Sequence, residues 1–171
     1  MSIFTTVRTD IRASTVDALS DTYPTTPIIF SHQNGEEPAV TYIDIQEINT
    51  TQIGRTQTST RTTDVTVEGD LKGYLNSQNH YEITIQYSVT GSQSGDIAHD
   101  LHHLLNTTPV WEKFQLNNLY PIRKSDVRRA PILRETQWID RYNFDVTFTY
   151  SVVTEQIVDV VEYATFEYNP I

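Results

Sequence analysis

The chain has 171 residues, 37% of them hydrophobic, with 22 Asp and Glu against 12 Lys and Arg, a formal charge of -10 and no cysteine. This length fits one domain with one sizeable core, burying about two-thirds of the unfolded surface. The composition excludes disulfides, thiolate nucleophiles and cysteine-based zinc sites; it argues against holding DNA by phosphate neutralisation, although like charge lets DNA pass without sticking.

The opening MSIFTTVRTDIRAST lacks the basic start and apolar run of a signal peptide. No apolar run approaches the roughly 18 residues of a membrane helix. We therefore expect a soluble protein without membrane contact, kept in cytosol-like conditions. Abundant Thr and ten Tyr suit β-rich structure with extensive polar surface.

Residues 3–20 carry Phe4, Val7, Ile11, Ala18 and Leu19 near helical spacing. Tyr23-Pro24 closes the segment, because the residue before proline disfavours helix. So polar a helix is expected across a surface or at a subunit contact. Residues 25–30 (TTPIIF) form a short strand candidate, followed by a turn centred on Asn34-Gly35. Residues 40–48 form another strand, with Ile43 and Ile45 on one face. Residues 50–78 are dominated by Thr, Ser, Gln and Asn, and Val65 and Val67 suffice for one strand. This stretch reads as an extended hairpin or mobile loop, and structureless segments of such length are usually functional or disordered.

Residues 81–89 alternate strictly, with Tyr81, Ile83, Ile85, Tyr87 and Val89 on one face. The break at GSQSG offers Ser94 as a helix cap, Asp96 suits the first turn, and Ile97, Ala98, Leu101, Leu104 and Leu105 form an apolar stripe. A second helix runs over residues 109–116 from Pro109. Residues 117–123 form a turn and strand, KSDVRRAP a charged connection, and residues 132–135 an edge strand.

The strongest signal is residues 138–153, WIDRYNFDVTFTYSVV, where Phe144, Val146, Phe148, Tyr150 and Val152 share one face. It matches residues 81–89 in pattern, so the two strands are expected as neighbours at the sheet centre. Its other face, Asp145, Thr147 and Thr149, is too polar for a dry core and must meet water or a neighbouring subunit. Thr154-Glu155-Gln156 reads as a turn into a last strand, residues 157–168, and a frayed NPI tail. No internal repeat or long low-complexity segment appears. The order predicts an α+β fold for residues 1–171 as a single domain. Its sheet is mainly antiparallel, with an N-terminal helix and two central helices packed on one face, plus a long polar loop or hairpin.

Catalytic patterns are weak. His99-Asp100-Leu101-His102-His103 echoes the HExxH zinc helix, but with a shorter acid. At about 100° per residue, His99 and His103 fall opposite Leu101 and should be solvated. His32 stands alone in a loop. No Gly-rich phosphate loop or G-x-S-x-G elbow is present. Asp140, Asp145, Asp159 and Glu162 lie on predicted strands, where solvated positions are far commoner than a paired-carboxylate site. Lys124, Asp126, Arg128 and Arg129 read as a solvated loop or a subunit salt bridge. Trp111 and Trp138 suit either interface anchors or core. No catalytic residue, metal or cofactor is expected.

The opening helix, TPIIFSHQNGEEPAVTYIDIQEI, YEITIQYSVTG, DIAHDLHHLL, WIDRYNFDVTFTYSVV and the closing VDVVEYATFEY follow one another over most of the chain. This succession resembles the neck or tail terminator proteins of long-tailed bacteriophages. The resemblance implies a virion subunit without a reaction, assembled in the host cytoplasm. It implies a homo-oligomeric ring, a hexamer, stacked between tail-tube protein and a head-completion or adaptor protein, with DNA passing through its lumen. Arg141 matches an arginine of the family's late strand. By position, residues 50–78 match the family's extended loop, so Arg55, Arg61, Asp64, Glu68, Asp70 and Lys72 are expected to contact neighbours. Three other classes stay open: another tail or head-completion ring subunit, a glycan-binding β module, and a metal hydrolase using His99 and His103.

Overall fold

A computed structural model of the chain describes residues 3–32, 37–67 and 70–159. The expected turn at Asn34-Gly35, Glu68, Glu162, residues 160–168 of the expected last strand and the NPI tail lie outside the described residues. The elements are α1 (Ile3–Leu19), β1 (Ile28–Phe30), β2 (Tyr42–Val67), β3 (Asp70–Thr90), α2 (Ser94–Leu104), α3 (Thr108–Gln115), β4 (Tyr120–Lys124), β5 (Arg128–Arg129), β6 (Ile132–Arg134), β7 (Gln137–Ile139) and β8 (Arg141–Asp159). The main sheet has the order β1-β2-β3-β8-β4, with β5 also on β8, while β6 and β7 form a separate two-stranded sheet. β1 runs parallel to β2; β4 and β5 run antiparallel to β8. The fold is α+β with a mainly antiparallel sheet.

Two compact units divide the chain: Met1–Gln52 with Tyr81–Tyr150, and Ile53–His80 with Ser151–Ile171. In the first, side chains on β3 and β8 meet in a uniform register. Tyr81 stacks on Tyr150 at 5.4 Å and Tyr87 on Phe144 at 5.3 Å. Thr84 Oγ1 and Thr147 Oγ1 lie 3.2 Å apart, and Gln86 Nε2 donates to Asp145 Oδ1 at 3.0 Å. Each step up β3 is matched by one step down β8, which makes the pair antiparallel. Strict alternation then puts Ile83, Ile85, Tyr87, Val89, Phe144, Val146, Phe148 and Tyr150 on one face, and all are buried. All three helices meet that face. The Thr15 hydroxyl of α1 touches Tyr87, His102 of α2 lies edge-on to Phe144, and Phe114 of α3 stacks on Phe148. Fully burying each of these phenylalanines contributes about 1.5–3 kcal/mol.

On α1 the buried stripe comprises Val7, Ile11, Ser14, Thr15, Ala18 and Leu19, a helical repeat that includes two polar residues. The apolar pattern alone predicts a surface helix; hydrogen bonds let the polar residues enter the core. Thr15 Oγ1 donates to Ile11 O at 2.7 Å, and Ser14 Oγ accepts from Asn117 Nδ2 at 2.9 Å. Ser94 is not a cap: Gln93 holds that position and Ser94 Oγ reaches Asp140 O at 3.3 Å.

Two strand boundaries depart from the sequence reading. The long central strand breaks at Asp140, so Trp138 belongs to β7 and pairs with β6. The expected edge strand at 132–135 is accordingly half of a small hairpin. At the other end, Thr154-Glu155-Gln156 is no turn: β8 continues through it to Asp159. These residues are polar, as in turns, but none is the Gly or Pro that would break a strand. Within residues 50–78, β2 extends to Val67 and β3 begins at Asp70, so the stretch, expected as an extended hairpin or a mobile loop, consists of two strands that neighbour each other in the sheet.

Candidate assembly surfaces

The outer face of the β3–β8 ladder is a paired polar network. Asp145 receives Gln86 on Oδ1, Arg128 Nη2 on Oδ2 at 3.0 Å, and its own N–H donates to Ser125 Oγ at 2.9 Å. Arg129 donates from Nε and Nη2 to Asp140 Oδ1 at 3.1 and 2.6 Å, and Arg123 pairs with Glu82 at 2.9 Å. Within this run Arg128 and Arg129 form ion pairs inside the chain while staying exposed, and Lys124 donates to a backbone carbonyl. Opposite signs come together because β5 lies antiparallel on β8, which aligns Arg128 with Asn143 and Arg129 with Tyr142. Thr147, expected to face water or a neighbour, is 9% exposed. Asp140 and Asp145, candidate paired carboxylates, are each engaged by an arginine.

His99 and His103 are exposed, as their helical phase predicts. His99 also lies edge-on to Tyr142, with ring centroids 6.3 Å apart. Only His102 turns inward, with Nε2 3.0 Å from Ser125 O, and Lys124 Nζ donates to its backbone carbonyl. Desolvation lowers the His102 pKa, as does the Lys124 charge, against the Ser125 hydrogen bond. Among the described residues no three His, Cys, Asp or Glu side chains are grouped to hold a metal.

Of the expected contact residues, Arg55, Arg61 and Asp64 lie on β2, and Asp70 and Lys72 on β3, all within the second unit. Arg55 is exposed. Glu68 lies outside the described residues. Arg141 opens β8 in the first unit, where its Nε donates to Ala130 O at 3.3 Å. In the second unit, Thr56 donates to Asn79 Oδ1 at 2.6 Å, and Ser151 Oγ lies 2.8 Å from His80 Nδ1.

Two features of the first unit escape sequence reasoning. The β6–β7 hairpin pairs Leu133 with Trp138, and these residues are 57% and 70% exposed. Beside it, a groove of about 790 Å³ is lined by residues including Thr25, Pro38, Ala39, Val40, Gly91 and Arg134. Arg134 is held at its edge by Glu37 and by Tyr42 Oη, the latter at 3.1 Å. Gly91 sits at φ +128°, and a Cβ there would lie 2.5 Å from Thr41 Oγ1. Glycine is what lets these two segments close on each other. Trp111, at 41% exposure, is not core either, nor is Trp138. Their patterns could not separate core from surface, because each stands in a short element without clean alternation.

No curated protein matches the sequence. A family model described as phage neck terminator protein, in contrast, matches residues 2–170. With helices on one sheet face, no helix long and apolar enough to cross a membrane among the described residues, and that match over nearly its whole length, the chain belongs to the phage neck terminator protein family.

Proposed function

We propose that this phage neck protein forms a ring, a hexamer, that caps the tail tube and joins it to the head-completion or adaptor protein, with DNA passing through the lumen. The family match over residues 2–170 carries the reading. The charge of -10 supports it, since an acidic lumen repels phosphate and lets DNA slide. The same membership supports a structural part in the virion without a reaction. Arg55, Arg61, Asp64, Glu68, Asp70 and Lys72 would bind neighbouring copies through charge pairs, with Arg141 a seventh contact. Electron microscopy of the purified chain, alone and with tail-tube protein, tests the proposal. Six-fold rings seated on tube ends are expected; a monodisperse monomer under both conditions overturns it.

A further inference from the structure

We propose that the β6–β7 hairpin is a head-to-tail contact between copies of this chain: Leu133 and Trp138 of one copy seat in the Val40 groove of the next. The inference rests on the ring reading and names its contact. Leu133 and Trp138 are cross-strand partners, so their side chains share one face of the hairpin. Strand neighbours point the opposite way, and Arg134 and Ile139 of that opposite face line the groove. One hairpin thus carries an apolar knob on one side and a groove wall on the other.

The groove suits this occupant. Thr25, Thr26, Pro38, Ala39, Val40 and Thr41 line it without a charge, and Val40 is 62% exposed. The charged groups at its edge, Arg134 and Glu37, pair with each other. Two copies of charge -10 repel over most of their surface, whereas the knob pair and the six lining residues named here carry no charge. Trp is enriched among interface anchors that fill such pockets. The contact proposed is head to tail, the knob of each copy in the groove of the next, so that successive copies add in one direction and close into a ring if the rotation closes.

The test uses two full-length variants, Trp138→Asp at the knob and Val40→Arg in the groove, sized by analytical ultracentrifugation. Both positions are exposed, and circular dichroism confirms folding; Leu133→Ser and Ala39→Arg replace either variant that misfolds. Each variant alone should run as a monomer where the wild type runs as a ring. Their equimolar mixture should give a species of two subunits and nothing larger, since one knob and one groove remain sound. Rings formed by either variant, or a mixture that stays monomeric, overturn this contact while leaving the ring reading intact. A wild type that stays monomeric overturns both.

Discussion

The hydroxyls of Thr15 on α1 and Tyr87 on β3 lie 3.0 Å apart, and both residues are fully buried. They tie the N-terminal helix to the centre of the sheet, and the two ends of this bond are not equivalent. Thr15 Oγ1 has a second partner, Ile11 O. Tyr87→Phe therefore strands nothing and should cost about 0.5–1.5 kcal/mol. Thr15→Val leaves the Tyr87 hydroxyl buried without a partner and should cost about 1–3 kcal/mol. Adding Tyr87→Phe to Thr15→Val should recover part of the loss. Urea unfolding of the three variants checks the order; a Thr15→Val that is milder than Tyr87→Phe contradicts it.

Tyr150 presents the reverse case. It is 3% exposed, and its hydroxyl has no hydrogen-bond partner among the described residues. A buried hydroxyl left unpaired opposes folding by about 1–3 kcal/mol. Tyr150→Phe keeps the ring and its stacking on Tyr81 while deleting that group. The variant should unfold at a higher temperature than the wild type. A lower melting temperature would mean that the hydroxyl is satisfied, by ordered water for instance.

What the residues made legible follows from alternation. Residues 81–89 and 144–150 switch face at every step between large apolar and polar side chains, so two neighbouring central strands could be read directly. The far parts of β2 and β3 carry Thr, Gln, Asn and Ser on both faces, and a strand without an apolar face looks like a loop. Ser14 and Thr15 hide in the core because their partners, Asn117 and Tyr87, are distant in sequence. Arg128 and Asp145 are 17 residues apart, and nothing local predicts that they meet. Trp138 was readable as an interface anchor, but its pairing with Leu133 was not, because a Trp beside a strong strand is absorbed into that strand's pattern. The family's fold was thus legible, and its surfaces were not.

Stability should fall at both ends of the pH scale, through named groups. Burial raises the Tyr87 pKa above its ordinary value, opposed by Thr15, and pushes Tyr150 up to about 12. Their unfolded forms lose protons first, near pH 10. Stability from these groups is complete below that pH and is lost above it, by about 1.4 kcal/mol per pH unit for Tyr87. His102 has the opposite sign. Its pKa is lowered, chiefly by desolvation with Lys124 close by, so the unfolded chain takes its proton first. Its contribution is present above about pH 6.5 and fades below it. Melting temperature against pH should show both shoulders. Tyr87→Phe should flatten the alkaline one and His102→Gln the part that sets in below about pH 6.5; an unchanged shoulder in either variant removes that assignment.

The last prediction separates holding the fold from joining copies. Among the residues whose burial is described, the buried apolar ones, from Val7 through Tyr150, fall in the first unit. The second unit takes Ile53–His80, and within it residues 53–60 are exposed, the polar Arg55, Gln57 and Thr58 among them. Replacing residues 53–80 by a flexible Gly-Ser linker should therefore leave the core of the first unit able to fold. If the charges on β2 and β3 join neighbouring copies, the shortened chain should be a cooperative, folded monomer that no longer assembles. Circular dichroism with sedimentation separates three outcomes. A folded monomer supports the assembly role of residues 53–80, and a folded ring assigns assembly to the first unit alone, as the Leu133/Trp138 contact would allow. An unfolded chain shows that the distal strands belong to the folding nucleus and withdraws their assignment as an assembly arm.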